Sequence, residues 1–244
     1  MGPTASASTY AFFRYLEREH GIVEVKPFAP PNKLNFQYFT GETPKKKKVF
    51  IKLEGRVEHA SAREAFFIDL LRKSGKAGFF PKIMACQTKE PFPFIATEFI
   101  EGQTLEKYFR QNRPNPKTLP SLLEQMCSIL EILHGTKVVH RDVRPPNLIV
   151  RTKKDPPHLR IVLIDFAYAL RLKPSLAELP FVAANIAILR KLGTGYKPQE
   201  FQWDDAFAIA RIAAEADPNY QKNFPKIHSF LSAKAGKLTY TIKI

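Results

Sequence analysis

One loop of this sequence, HRDVRPPN over residues 140–147, sets an aspartate (Asp142), an arginine (Arg144) and an asparagine (Asn147) between the short apolar runs VV and LIV. A second aspartate, Asp165, ends the apolar run IVLID. A lysine, Lys52, lies much earlier in the alternating run VFIKLE, with Glu64 in the segment that follows. Moving a phosphoryl group requires a cation on the nucleotide phosphates, a carboxylate beside the attacking hydroxyl, oxygen ligands for magnesium and a cleft that excludes water. Lys52, Asp142 and the pair Asn147 and Asp165 are candidates for the first three. Taken singly, each has a plainer reading. Alternation with Ile51 and Leu53 makes Lys52 the solvent-facing residue of a half-buried strand. Glu64 together with Ser61 fits a helix capping box, and Arg144 is one cation among 38.

The surrounding segments must hold these residues in place. YAFFRYLEREHG has helical apolar spacing and stops at Gly21. IVEVKPF, LNFQYFTG and KVFIKLEG read as extended runs divided by the turn-rich APPNK and ETPKKK, the pattern of an antiparallel meander. A helix is expected in SAREAFFIDLLRKSG, then a strand pair around FFPKIMACQ and PFIATEFIEG. Beyond Gly102 the character changes. TLEKYFRQN and LPSLLEQMCSILEILHG are helical in period, NLIV and IVLIDFAYAL are strands, and ELPFVAANIAILRKLG and WDDAFAIARIAAEA are helices, while KLTYTIKI alternates as a short strand. The expected fold class is α+β, with residues 1–21 an N-terminal tail and helix, 22–102 a strand-rich part and 103–244 a helix-rich part.

HRDVRPPN, IDFA and the strand lysine together resemble the protein-kinase superfamily, whose motifs H-R-D-x-x-x-x-N and D-F-G they match or approach. The resemblance implies a two-lobed fold, with a small antiparallel-sheet N-lobe that binds nucleotide and a reduced, mainly helical C-lobe. It implies ATP and Mg2+ as cofactors. By the same resemblance Asp142 takes the acceptor hydroxyl's proton, Arg144 neutralises the transferred group, Asn147 and Asp165 hold magnesium, and Lys52 holds the phosphates. The lysine's partner is Glu64, with Asp69 on the same helix as the other candidate. PFIATEFIEG becomes the strand that receives adenine, with Thr97 at its gate and the backbone of Glu98 and Ile100 against the purine. His140 and Arg141 become structural ties to the metal-binding segment.

The likeness is partial. PFAPPNKL stands where the family has a glycine-rich flap, and proline offers a phosphate no N–H; Asn32 or Lys33 is left to substitute. Ala167 replaces the glycine of D-F-G. YKPQE matches A-P-E poorly, and the short C-terminal part is similar to that of RIO-type and lipopolysaccharide-core sugar kinases. The acceptor stays open between a protein Ser/Thr and a phosphorylated glycan such as a lipopolysaccharide sugar. A different class stays open too, a weak or inactive pseudokinase that senses nucleotide or binds partners.

Composition sets the outer bounds. The balance of 38 basic against 23 acidic residues gives +15, with a dense knot at Lys45–Lys48. Such a field attracts polyanions without choosing among them, and contact with an anionic membrane surface is one expectation. Nucleic acid is a poor candidate, since neither RNP-like aromatic motifs nor a recognition helix can be found. With 44% hydrophobic residues and 20 Phe, the chain can fill a sizeable core. Cys86 and Cys127, far apart in apolar contexts, form no zinc or disulfide pattern. No apolar run approaches the ~18 residues that span a bilayer. These features predict a cytoplasmic protein, at most peripheral at the inner membrane face.

Overall fold

The computed structural model describes residues 7–31, 36–55, 59–112, 117–151, 159–172 and 185–242. The chain divides into two compact units, residues 1–65 with 82–100, and residues 66–81 with 101–244. The architecture is the expected α+β one.

The first unit is built on a five-stranded antiparallel sheet of β1 (Val23–Ala29), β2 (Gln37–Glu42), β3 (Lys48–Leu53), β4 (Ile83–Gln87) and β5 (Phe94–Glu98), in the order β1-β2-β3-β5-β4. Successive side chains of a strand point to opposite faces. Val49 and Ile51 of β3 therefore share one face, where they join Phe39 and Phe94 in a core closed by Phe12 and Leu16 of helix α1 (Ala7–His20). The Phe12 ring lies 5.7 Å from Phe39, 5.5 Å from Phe92 and 5.6 Å from Phe94, tilted or edge-on, so α1 is fixed by shape as well as by area. Lys52 and Phe50 belong to the other phase of β3.

Helix α2 (Ala60–Arg72) opens two residues earlier than a Ser61 cap would require. Ser61 lies inside the first turn and its amide donates to Glu54 Oε2 at 2.8 Å, while Glu64 turns to Lys52. The expected capping box does not form, because a buried ammonium outbids a helix amide for the Glu64 carboxylate.

In the second unit, helix α3 (Leu105–Gln111) starts at Thr104, whose hydroxyl accepts the Lys107 amide. The long helix α4 (Leu119–Thr136) buries Leu122, Leu123, Met126, Ile129, Leu130 and Leu133 along one stripe. It ends where Lys137 turns left-handed, at φ 57°, and returns its amide to the carbonyls of Leu133 and His134. Three short strands, β6 (Gln103–Thr104), β8 (Leu148–Arg151) and β9 (Arg160–Leu163), form one sheet, and β7 (Val138–Val139) pairs with β10 (Leu170–Arg171). Gln125 of α4 reads the edge of β9 at two points. Its side-chain amide donates to Leu159 O at 2.9 Å and its side-chain carbonyl accepts Ile161 N at 2.9 Å. Gly102, at φ +156°, runs so close to β8 that a Cβ there would overlap the Val150 carbonyl oxygen.

The C-terminal elements are α5 (Ile186–Lys191), β11 (Gln202–Asp204), α6 (Asp205–Ala216), α7 (Tyr220–Asn223), α8 (Pro225–Lys234) and β12 (Thr239–Thr241), with β12 antiparallel to β11. IVLIDFAYAL was expected as one strand. It is two, β9 and β10, because Asp165 takes a left-handed φ of 67° that no strand can continue through. Of the helix expected in ELPFVAANIAILRKLG, residues 178–184 lie outside the described residues, as do Asn32 and Lys33. Among the described residues no helix is long and apolar enough to cross a membrane.

Candidate active site

Val138 and Val139, both fully buried in β7, deliver the loop, and a single 3-10 turn over Pro145–Asn147 returns it to β8. Within the loop Asp142 is 5% exposed and its carboxylate meets several donors. Asn147 Nδ2 donates to Oδ2 at 2.7 Å, Arg144 Nε donates to Oδ2 at 3.1 Å and the Gly193 amide donates to Oδ1 at 3.1 Å. Burial pushes Asp142 up to about 6; the charge of Asp165 pushes the same way, and Arg144 and Asn147 pull it back. An ionised carboxylate has about four lone-pair sites, so these three donors leave one on Oδ1 for a further proton donor. The Asn147 side-chain amide is directed at Asp142, to its backbone oxygen at 2.9 Å and to Oδ2 at 2.7 Å.

Gly193 was not anticipated from the sequence. It stands at φ +67°, where a Cβ would come within 2.7 Å of the Arg141 carbonyl oxygen and 3.4 Å of the Trp203 ring. Only glycine brings its amide this close to Asp142. Its signal, the run LGTG after an amphipathic segment, is indistinguishable from an ordinary helix stop.

Asp205 was also missed. Its carboxylate accepts the His140 amide at 2.7 Å and the Arg141 amide at 3.2 Å, so the first residue of α6 holds the backbone of the loop. Burial pushes Asp205 up to about 7, against the pull of those two amides and of the Arg141 guanidinium. In sequence the pair WDD reads as a helix N-cap. Asp204 does have that role, accepting Ala206 N and Phe207 N, and it disguises its neighbour.

The loop is bound to the segment carrying Asp165 by His140 and Arg141. His140 Nδ1 accepts the Asp142 amide at 3.3 Å, which leaves Nε2 to donate to Ile164 O at 3.1 Å and fixes the neutral tautomer. The same ring packs edge-on against Phe166 at 4.7 Å. Arg141 Nε donates to Tyr168 O at 2.6 Å. Its guanidinium lies 5.3 Å from the Trp203 ring and 5.8 Å from the Tyr240 ring, two rings stacked on each other across β11 and β12. In this segment the left-handed angle falls on Asp165, and Ala167 keeps a negative φ.

In the first unit, Lys52 is 6% exposed, contrary to its reading as a solvent-facing strand residue. Its Nζ meets Glu64 Oε2 at 3.0 Å, and the Phe36 ring lies 4.7 Å from the same ammonium. Asp69 pairs with Lys73 on the exposed side of α2 at 2.6 Å. A buried ion pair costs much of its attraction in desolvation, so it is poor ballast for a fold and more often marks a site. Thr97 is buried in β5, opposite Phe50 of β3 and Ile83 of β4. The Glu98 amide donates to Lys82 O at 2.8 Å within the sheet. Ile100 is buried just beyond β5.

Comparison with known proteins agrees with this arrangement. The family profile described as protein kinase domain matches residues 56–185. Ribosomal protein S6 kinase 2 alpha of Gallus gallus is 32% identical over 107 residues, 42% of this chain and 14% of that protein. Probable serine/threonine-protein kinase 2 of Plasmodium falciparum is 31% identical over 103 residues, 42% of this chain and 20% of that protein. Serine/threonine-protein kinase PknA of Nostoc sp. is 27% identical over 146 residues, 59% of this chain and 24% of that protein. The matched stretch thus spans between 14% and 24% of these relatives. The family profile, over residues 56–185, runs through the Asp142 loop and the Asp165 segment and covers more than half of the chain, and on this ground the chain belongs to the protein kinase domain family.

Proposed function

We propose that this chain transfers the γ-phosphoryl group of ATP to the hydroxyl of a protein Ser or Thr. The observation that carries the reading is the Asp142 carboxylate, buried, triply hydrogen-bonded and left with one open site on Oδ1. A carboxylate held there takes the proton as the acceptor oxygen bonds to phosphorus and the bond to ADP breaks. In a loose transition state that proton leaves late, so position counts for more than basicity. Arg144, with its Nε on Asp142 and its side chain 44% exposed, can turn its terminal nitrogens to the transferred group.

A divalent cation fits the donors on offer. The Asn147 carbonyl and the Asp165 carboxylate are hard oxygen ligands, and among the described residues no cluster of three His, Cys, Asp or Glu gathers to compete for a metal. Such a pair suits Mg2+, which takes its remaining ligands from phosphates and water and supplies charge neutralisation there. Lys52, set by Glu64, would hold the nucleotide phosphates, and the Ile100 backbone with Thr97 would meet the purine. The protein acceptor is favoured over a glycan because the relatives are named as serine/threonine-protein kinases. Only the +15 charge speaks for a phosphorylated glycan or a membrane surface. The test follows labelled γ-phosphate onto protein and lipopolysaccharide acceptors, with Asp142→Asn and Asp165→Ala as controls. Label on Ser or Thr that both substitutions abolish is expected; transfer surviving both overturns the reading.

A second reading, a pseudokinase, is favoured by the glycine-free connection between β1 and β2 and by the Phe36 ring over Lys52. It predicts partner binding and ATP-dependent thermal shifts without transfer.

A further inference from the structure

The C-terminal end of α4, the end of β10 and the turn between α8 and β12 enclose a cavity of about 480 Å³, all within the second unit. That volume lies in the range of small-molecule sites, roughly 300–1,000 Å³. Its walls carry Lys137, Arg171, Lys237 and His134, with Leu172 and Leu238 as the apolar part, and no carboxylate is among its lining residues. Several exposed cations elsewhere pair with acids close at hand, as in Arg18–Glu19, Lys73–Asp69, Arg110–Glu106 and Arg190–Glu200. Among the described residues none of the three cavity cations is so paired. Arg171 instead lies over the Phe66 ring at 5.1 Å.

The His134 imidazole lines the same cavity. His134 Nε2 is buried without a hydrogen-bond partner. Burial lowers its pKa, Lys234 on α8 lowers it further, and Asp204 at the start of α6 opposes them. Asp204, held by the Ala206, Phe207 and Gly236 amides, offsets part of the positive field there with its negative charge. The carbonyls at the end of α4, which would repel an anion, are also occupied. Ile132 O takes the Thr136 hydroxyl, Leu133 O and His134 O take the Lys137 amide, and Lys137 O takes the Leu172 amide. The lining side chains bring three cations and one imidazole to the cavity.

We propose that this cavity is a binding site for a small phosphorylated molecule, an anion of two or more phosphoryl charges held by Lys137, Arg171 and Lys237 beside the His134 imidazole. The site is independent of the proposed transfer reaction. Its position has a consequence for the loop, since Arg171 pairs with Val138 across β10 and β7. A ligand spanning Lys137 and Arg171 braces the strand pair that leads into His140.

The probe is pyrophosphate, with inorganic phosphate and sulfate alongside, titrated into the full chain at fixed ionic strength. Binding is followed by calorimetry and by the His134 imidazole resonance, assigned through His134→Gln. Pyrophosphate is expected to shift that resonance and raise its titration midpoint by about one pH unit, because a neighbouring anion favours the charged ring. Lys137→Glu with Lys237→Glu is expected to weaken pyrophosphate by at least about a hundredfold, losing a charge-assisted partner at each position. Lys137→Gln with Lys237→Gln, milder for folding, weakens it by about tenfold or more. The same charge change placed at the basic turn, Lys46→Glu with Lys47→Glu, leaves it within about twofold, as expected for a screened distant field. An unmoved His134 resonance, or equal weakening by the cavity and turn variants, overturns the proposal.

Discussion

Replacing Asp205 by alanine removes one acceptor from two amides. His140 and Arg141 are 0% and 2% exposed, so water cannot take the place of the carboxylate that receives their N–H groups at 2.7 and 3.2 Å. Each buried amide left without a partner costs about 1–3 kcal/mol, or about 2–6 kcal/mol for the pair. Part of this returns, because the lost carboxylate was itself held in a site that disfavours its charge. A net loss of about 3 kcal/mol is expected, which for a unit of this size lowers the unfolding midpoint by roughly 6–12 °C. The single tryptophan, Trp203, is buried two residues before Asp205, and its fluorescence reports this unit directly. Asp205→Asn keeps one acceptor and should lose about half as much. The pH dependence gives a second, signed test. Asp205 is raised from an ordinary 3.8 to about 7, so between those values the folded chain holds more protons than the unfolded one. Stability must then fall as pH rises through this window, and be lowest above about 7. Asp142, raised from 3.8 to about 6, contributes with the same sign. The parent chain should therefore melt higher at mildly acid pH than at pH about 8, and Asp205→Asn should flatten the upper part of that slope. An Asp205→Ala midpoint within about 1 °C of the parent, or a stability that climbs from acid to neutral pH, would refute the reasoning.

Other outcomes follow from the same geometry. Lys52→Ala removes the cation from the buried Glu64 carboxylate and should cost about 3–5 kcal/mol, whereas Lys52→Met with Glu64→Leu should cost less. Hydrogen exchange of the β3 amides reads both, and equal losses in the two variants would contradict the desolvation argument. With Asp142 raised to about 6, kcat/KM for phosphate transfer should fall about tenfold per pH unit below that value. Arg144→Gln should move the midpoint upward, since Arg144 holds it down. Gly193→Ala forces a Cβ to within 2.7 Å of Arg141 O in a left-handed backbone. A penalty of about 1–2 kcal/mol from the angle alone is expected, together with a fall in kcat larger than the loss of stability implies. Phe36→Ala should lower KM for ATP if the ring shields Lys52; unchanged KM would show that nucleotide reaches the ammonium regardless.

The order of elements was readable because each carries its own period. The 3.6 repeat of α4 and the alternation of β2 and β3 are local patterns that packing reinforces. The spacing of Asp142, Asn147 and Asp165 was equally visible, since short strands fix both ends of the loop. What stayed hidden were residues whose importance lies in one long-range contact. Gly193 and Asp205 look like a helix stop and a helix start, and nothing in their own segments says that each reaches back to the loop. Burial was hidden for a related reason. Alternation assigned Lys52 to solvent, but only the arrival of Glu64 and Phe36 decides what covers the second face of β3. The commitment of the Glu98 amide to Lys82 was hidden likewise, because the pairing of β4 with β5 is not written in either strand alone.

The contacts that settle the loop also impose an order on biosynthesis. Asp142 waits for Gly193, His140 waits for Asp205, and Arg141 meets Trp203 and then Tyr240. A ribosome delivering the chain from its N-terminus releases HRDVRPPN long before its supports exist. The sheet built on β1 to β5 needs nothing beyond Ile100 and can form early. The loop cannot settle until β12 has cleared the exit tunnel and closed on β11, so a stalled nascent chain carries a finished first sheet and an unformed centre.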